Sequence, residues 1–312
     1  AQHQPYGGVV PEIASRSHVE QLPVMIEQAM QDAQVDWSDL DAVAVTYGPG
    51  LASSLLVGCT TAKALGFRLG LPVLGVNHLE GHLYSSFLGL DAGETLPCPH
   101  LALLVTGGNT CLVLVHEVGR YEMLGQTMDD AAGEALDKGA KLLGLGYPGG
   151  PAIEKAAEGG RTDAIDFPRG MLGGGGKVQG LEKDLCFSYS GVKTALRYYL
   201  QDREPPTGTA LADVCASYQE AVFDALINRL QRALELTGVS HVCCVGGVAK
   251  NRTLREKLNR VMTRHQATLH MAPIEYCTDN AAMIAALAGC GAPRTSVPVD
   301  GVDVQPSLVI GG

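Results

Sequence analysis

The sequence predicts an α/β protein of two similar lobes that face a nucleotide. Three observations lead there. Short apolar runs alternate with helix-length amphipathic segments along the chain. Two of those runs, at His100–Val105 and His241–Val245, each end in a Gly-Gly turn followed by polar residues, one in each half of the chain. The length of 312 residues is enough for two lobes with their own cores.

In chain order, Tyr6-Gly-Gly-Val-Val-Pro-Glu12 reads as a turn into a helix. Ser17-His-Val-Glu20 has capping-box spacing for a helix from about Ser17 to Ala33, with Pro23 placed to kink it. Asp41–Tyr47 reads as a strand, Gly48-Pro-Gly50 as a turn and Ser53–Leu69 as a helix. Pro72–Val76 is a buried strand, followed by a helix to about Leu90 and a Pro-containing loop, Asp91–Pro99. His100–Val105 and Cys111–His116 flank Thr106-Gly-Gly-Asn-Thr110, a turn whose backbone N–H groups and side chains could cradle phosphate. Alone it reads better as a plain hairpin loop; the second Gly-Gly turn is what favours the phosphate reading.

Asp129 or Asp130 would cap a helix that ends near Gly144, and Asp130, Glu134, Asp137 and Lys138 share one stripe of it. Tyr147-Pro-Gly-Gly-Pro151 turns into the helix bearing Glu154. Residues 159–185 are Gly-rich and read as a mobile surface loop. A helix begins near Phe187, and a longer one, Ala210–Thr237, carries Val214, Tyr218, Val222, Leu226 and Leu230 at helical spacing. After Asn251, Arg252, Arg255, Lys257 and Arg260 form one of the few basic surfaces of the chain. The last helix runs from Ala281 to Gly291.

The most informative stretch is Asn77-His-Leu-Glu-Gly-His82. His78 and His82 lie four apart in a helix's first turn, so both imidazoles can reach one point, as a divalent metal requires; an isolated pair at this spacing is more often two unrelated polar residues near a surface helix. Glu80 sits two residues from each, on another face, so the motif lacks the built-in base of the zinc peptidases. A third ligand must come from elsewhere. Asp279 is a candidate at the start of the last helix; from position alone it is either an N-cap carboxylate or that ligand. Two imidazoles and a carboxylate suit iron, zinc or manganese.

The net charge of −10 excludes a basic nucleic-acid binder by composition, so a nucleic-acid substrate would need a local patch or a partner. The nine Cys include no Cys-x-x-Cys pair and read as small buried residues of a reducing compartment. No signal peptide and no membrane-length apolar run is visible, which places the chain in the cytoplasm.

These pieces together resemble the TsaD family of tRNA threonylcarbamoyladenosine transferases, in its bacterial or organellar branch. The matching motifs run from Tyr6-Gly-Gly-Val-Val-Pro-Glu-Ile-Ala-Ser-Arg16 through Gly48-Pro-Gly-Leu51, Asn77–His82, Thr106–Thr110 and Asp129-Asp-Ala-Ala-Gly-Glu-Ala-Leu-Asp-Lys138. They continue with Tyr147-Pro-Gly-Gly150, Ser188-Tyr-Ser-Gly-Val-Lys-Thr194, Gly246-Gly-Val-Ala-Lys-Asn-Arg252 and Thr278-Asp-Asn280. The resemblance implies an actin-like ATPase (ASKHA) fold of two α/β lobes around a nucleotide cleft. The lobes would divide at 1–105 and 106–280, with 281–312 packing back on the first. The family opens with a strand and a Glu-Thr-Ser-Cys-Asp-type turn ahead of residue 1, so the first lobe is expected to be incomplete.

The resemblance further implies that His78, His82 and Asp279 hold one divalent metal, iron being favoured over zinc or manganese. It implies that Thr106, Gly107, Gly108, Asn109, Thr110, Asp137, Gly150 and Asn251 contact an adenylate-type ligand, threonylcarbamoyl-AMP or ATP/ADP, with Glu154 a further candidate. The bacterial turn reads Ser-Gly-Gly-His-Thr; here Thr106 and Asn109 replace Ser and His, and Asn hydrogen-bonds but cannot exchange a proton. No protein nucleophile is assigned. The implied reaction moves a threonylcarbamoyl group to N6 of the adenosine 3′ of the anticodon. The implied partners are tRNA, with either an inactive paralogue and a small ATPase or a second copy of the chain. Two other readings stay open: a metallopeptidase, and a non-catalytic nucleotide-binding subunit.

Overall fold

The computed structural model describes residues 10–88, 97–170, 175–290, 297–298 and 303–311. Residues 6–9 of the opening turn, 91–96 of the Pro-containing loop and 171–174 of the Gly-rich loop lie outside the described residues. The chain forms two compact units. One takes Ala1–Tyr84, Val118–Arg120 and Asn280–Gly312, the other Ser85–Glu117 and Tyr121–Asp279. The first division therefore falls after Tyr84 rather than after residue 105, because His100–Val105 is the middle strand of the second unit's sheet.

In the first unit, α1 (Pro11–Ala33) starts earlier than the Ser17 box, with Pro11 in its first turn, where a missing N–H costs nothing. Pro23 lies inside it. Strand β1 (Val43–Gly48), helix α2 (Ala52–Leu69) and strand β2 (Val73–Asn77) form a parallel β-α-β unit. Gly70, at φ 71°, ends α2 in the left-handed region that glycine favours. Helix α3 (His78–Tyr84) follows β2 without a break and is shorter than expected. The tail of residues 303–311 is tied to β1: Gln305 N–H donates to Tyr47 O (2.8 Å), and Gly50 N–H to Pro306 O (3.1 Å). Tyr47, Cys59, Ala62, Val73 and Leu308 form the core there.

The second unit is built on β3 (His100–Val105), β4 (Thr110–Glu117), β5 (Arg120–Gln126), β8 (His241–Val245) and β9 (Thr268–Met271), in the order β5-β4-β3-β8-β9. β3 runs antiparallel to β4 and parallel to β8, and β8 is parallel to β9. Its helices are α4 (Ala132–Leu142), α5 (Gly149–Ala156), α6 (Ser190–Gln201), α7 (Gly208–Thr237) and α8 (Arg252–His265). On α7, Val214, Tyr218, Val222, Leu226 and Leu230 are all fully buried, as their spacing predicts. The Gly-rich stretch is more ordered than a mobile loop: β6 (Lys177–Val178) and β7 (Leu181–Glu182) form a hairpin within it. Buried Arg229 of α7 donates to Gly170 O and Cys186 O on either side of it. Helix α9 (Ala281–Gly289) and strand β10 (Val297–Pro298), paired to β2, complete the first unit.

Three expectations are corrected. Both Gly-Gly turns belong to the second unit, side by side on the adjacent parallel strands β3 and β8, not one to each lobe. Asp129 and Asp130 do not cap α4; Ala131 holds the N-cap position, and Thr110 Oγ1 accepts from Ala132 N–H (2.9 Å). The expected basic surface is also thinner. Lys257 is buried and pairs with Glu220 and with Asp224 (2.7 Å), and Arg255 turns inward to Ala249 O and Ala272 O, leaving Arg252 and Arg260 exposed. Replacing Lys257 with Ala strands two partly shielded carboxylates. Urea unfolding should show a loss of about 2–4 kcal/mol, somewhat under the cost of breaking a fully buried pair.

Candidate functional site

Asn77 ends β2 and starts α3. Its Oδ1 accepts from Leu79 N–H (2.9 Å), satisfying an orphan donor of the helix, and its Nδ2 donates to Val309 O (2.8 Å). The next turn carries His78 and His82, whose ring centroids lie 4.7 Å apart and edge-on. His82 is buried and His78 half-buried. Between them, Gly81 faces α9: a Cβ there would come within 2.8 Å of Ile284 Cδ1 and 3.4 Å of Met283 Cγ. Glycine therefore sets how closely α3 and α9 approach.

Asn280 caps α9, accepting from Met283 N–H (2.9 Å). Asp279, one residue earlier, is thus not the N-cap. Ligand atoms of His78, His82 and Asp279 all lie within 4.8 Å of one another. Two ligands on one tetrahedral ion with 2.0–2.1 Å bonds sit about 3.3 Å apart, so the cluster is within a small side-chain turn of that spacing. The donor set itself, two imidazoles and a carboxylate, fits a borderline divalent ion with open positions. Glu80 takes no part. It is buried, accepts from Gly311 N–H (2.9 Å), and is pushed up to about 7, first by burial, with that hydrogen bond opposing.

The second constellation lies at the C-terminal ends of β3 and β8. Thr106 N–H donates to Asn109 O (2.8 Å), and Thr106 Oγ1 accepts from Gly108 N–H (3.2 Å) and Asn109 N–H (2.9 Å). Two backbone donors expected to face a ligand are therefore engaged inside the turn. A Cβ on Gly107 or Gly108 would meet nothing within 4 Å, so packing does not demand these glycines. They leave a bare ledge on which a flat group can lie. Gly133 of α4 does need to be glycine, because its Cβ would lie 2.9 Å from Gly107 Cα. Gly246, at φ 95°, abuts Val105 O and Thr106, joining the second Gly-Gly turn to the first.

The remaining candidates hold this edge together. Asp137 Oδ1 accepts from Gly149 N–H (2.6 Å); burial raises its pKa, with the Gly149 and Gly150 amides opposing. Glu154 accepts from Arg252 N–H (2.7 Å) at the start of α8. Asn251 caps α8 through Leu254 N–H (3.1 Å) and donates to Gln219 Oε1 (2.9 Å). Among these residues, motif reading overlooked the link between Asp129 and Ser188–Ser190, 59 and more positions away, for which no local pattern gives a signal.

Comparison with known proteins follows the same motifs. The family model described as TsaD, tRNA N6-adenosine threonylcarbamoyltransferase, matches residues 1–286. A protein of that description from Syntrophobacter fumaroxidans is 46% identical over 98% of the chain and 88% of its own length. One from Desulfitobacterium hafniense is 50% identical over 91% of the chain and 80% of its own length. Among solved structures, full-length HypF in a phosphate- and nucleotide-bound form aligns with a TM-score of 0.58 at 14% identity. That alignment covers 87% of the chain and 50% of HypF. The likeness is one of fold, the actin-like ATPase type.

The Gly81→Ala variant should lose about 1–3 kcal/mol of stability through overpacking.

Proposed function

Because the chain belongs to the TsaD family of tRNA N6-adenosine threonylcarbamoyltransferases, we propose that it takes the threonylcarbamoyl group from threonylcarbamoyl-AMP. The acceptor in this reading is N6 of the adenosine 3′ of the anticodon, in tRNAs reading codons that begin with A. The observation that carries the reading is the meeting of His78 and His82 with Asp279, from distant parts of the chain, in a protein that also keeps the glycine ledge at 107–108.

The adenylate lies on the Thr106–Thr110 turn, beside the start of α4, where a helix N-terminus favours the phosphate. Gly107 and Gly108 admit it closely, and Asn109 offers an amide hydrogen bond without a proton to give. His78, His82 and Asp279 would hold the divalent ion, iron before zinc or manganese, and when bound it would supply Lewis acidity toward a carbonyl or phosphate oxygen. The exocyclic amine of adenine is a weak nucleophile, so alignment of the two substrates carries much of the rate. The buried, hydrogen-bonded state of Glu80 leaves no peptidase base beside the His pair, which weighs against the metallopeptidase reading.

The net charge of −10 and the thin basic surface support tRNA docking with help from a partner, either a paralogue with a small ATPase or a second copy. Val24, Met25 and Phe67, the last 91% exposed, are apolar groups on α1 and α2 that a partner could cover. Among the described residues no helix is long and apolar enough to cross a membrane. A cytoplasmic setting belongs to the same reading.

The test is mass spectrometry of tRNA nucleosides from cells depleted of their own enzyme and supplied with this gene. Threonylcarbamoyladenosine should return with the wild type and fall by at least about 100-fold with His78→Ala, since losing a ligand exceeds the usual effect of its outer-shell supports. Full modification by a folded His78→Ala variant would remove the metal from the account. No modification by the wild type with its partners present would remove the transferase.

A further inference from the structure

The segment from Thr127 to Ala132 arches over Thr110 and holds it at both ends. Thr127 N–H donates to Thr110 O (2.8 Å), and Ala132 N–H donates to Thr110 Oγ1 (2.9 Å). Thr127 Oγ1 also donates to Asp130 O (2.6 Å), closing the arch on itself. Thr110 is the last residue of the turn that begins at Thr106, and Gly133, next along the arch, packs directly on Thr106 O and Gly107. Whatever fixes the arch fixes the turn.

Asp129 sits in the middle of the arch. Its Oδ1 accepts from Tyr189 N–H (2.7 Å) and Ser190 N–H (3.2 Å), and its Oδ2 from the Ser188 hydroxyl and the Ser190 hydroxyl (2.8 Å). These donors are the opening of α6, where unpaired amides and the helix dipole favour a negative charge. A carboxylate accepting several such bonds is anchored much more firmly than a neutral side chain. Neighbouring Asp130 has separate partners, Lys138 (2.7 Å) and Lys193 (3.0 Å). A further strand-like pair, Met128 N–H to Phe187 O (2.9 Å) and Phe187 N–H to Gln126 O (3.0 Å), lines up the two segments.

We infer that Asp129 is a positioning residue, which pins the arch to α6 and thereby keeps the Thr106–Thr110 turn in the shape that receives the adenylate donor. The inference rests on the functional reading above. Asp129 touches no reacting atom; it acts through Thr110 and α4. The Asp-Asp and Ser-x-Ser motifs, remote in sequence, are then two halves of one brace.

The experiment pairs hydrogen–deuterium exchange with steady-state kinetics on Asp129→Asn, which keeps size and loses charge, and on Ser190→Ala, a milder change for use if the first folds poorly. Exchange at the amides of Thr127 and Ala132, which donate to Thr110, should quicken about tenfold or more, in line with the loss of charge-assisted hydrogen bonds. The KM for threonylcarbamoyl-AMP should rise about tenfold while the KM for tRNA stays unchanged, and Ser190→Thr should restore both readouts. Unchanged exchange at Thr127 and Ala132 overturns the inference even if the wild type proves inactive, because that readout needs no turnover. Unchanged donor KM, with activity falling only in step with the folded fraction, also overturns it and leaves a purely structural brace. A wild type that makes no modified nucleoside, but whose variants loosen the turn, overturns the functional reading while the brace stands.

Discussion

The parallel pairing of β3 with β8 is the constraint on which the second unit's chemistry depends. Leu101–Leu104 lie in register with Val242–Val245, so both strands end at the same level and their Gly-Gly turns emerge together. Gly246 can sit against Val105 O only because it lacks a Cβ and tolerates a positive φ. Parallel strands in a sheet covered by helices present their carboxyl ends as the natural ligand edge of an α/β protein. Helix α4 is tied to that edge through Thr110, α5 to α4 through Asp137, and the first turn of α8 is capped by Asn251, each by a side-chain oxygen that accepts from a backbone N–H that a helix start leaves without an internal partner. The edge is thus preorganised by satisfied polar groups rather than by apolar contact alone.

The cluster of His78, His82 and Asp279 follows a second logic, that of close helix approach. His78 and His82 share one short helix, and the carboxylate that lies near them, Asp279, comes just ahead of the α9 cap. Gly81, placed between the two histidines, lets α3 and α9 pack closely. Glu80, which a peptidase reading would enlist, is occupied with Gly311 N–H and fastens the chain's tail. One five-residue motif thereby supplies a histidine pair, a packing surface and a tether.

What could be read from the sequence was local. The His pair is visible because its spacing of four is itself the geometry, and α7 because an apolar stripe over many turns admits no other element. The edge strands β5 and β9 escaped notice: they are mostly half-exposed and lack the apolar run of β3 or β8. Lys257 looked like part of a basic surface, since counting charges on a helix does not reveal that Glu220 and Asp224 wait on α7. The twin Gly-Gly turns led to the right number of units for the wrong reason, because spacing along the chain does not say which strands are neighbours. Asp279 could not be separated from a helix cap until Asn280 was seen to fill that role. The brace around Asp129 joins residues about sixty apart and leaves no periodic trace.

The most direct measurement is a single-turnover reaction with the purified chain, its partners, unmodified tRNA and threonylcarbamoyl-AMP labelled in the threonyl carbon skeleton. The account predicts that label moves into tRNA and, after nuclease digestion, elutes with N6-modified adenosine, with AMP released in equal amount. Donor left intact, or hydrolysed with no label in tRNA, would contradict it.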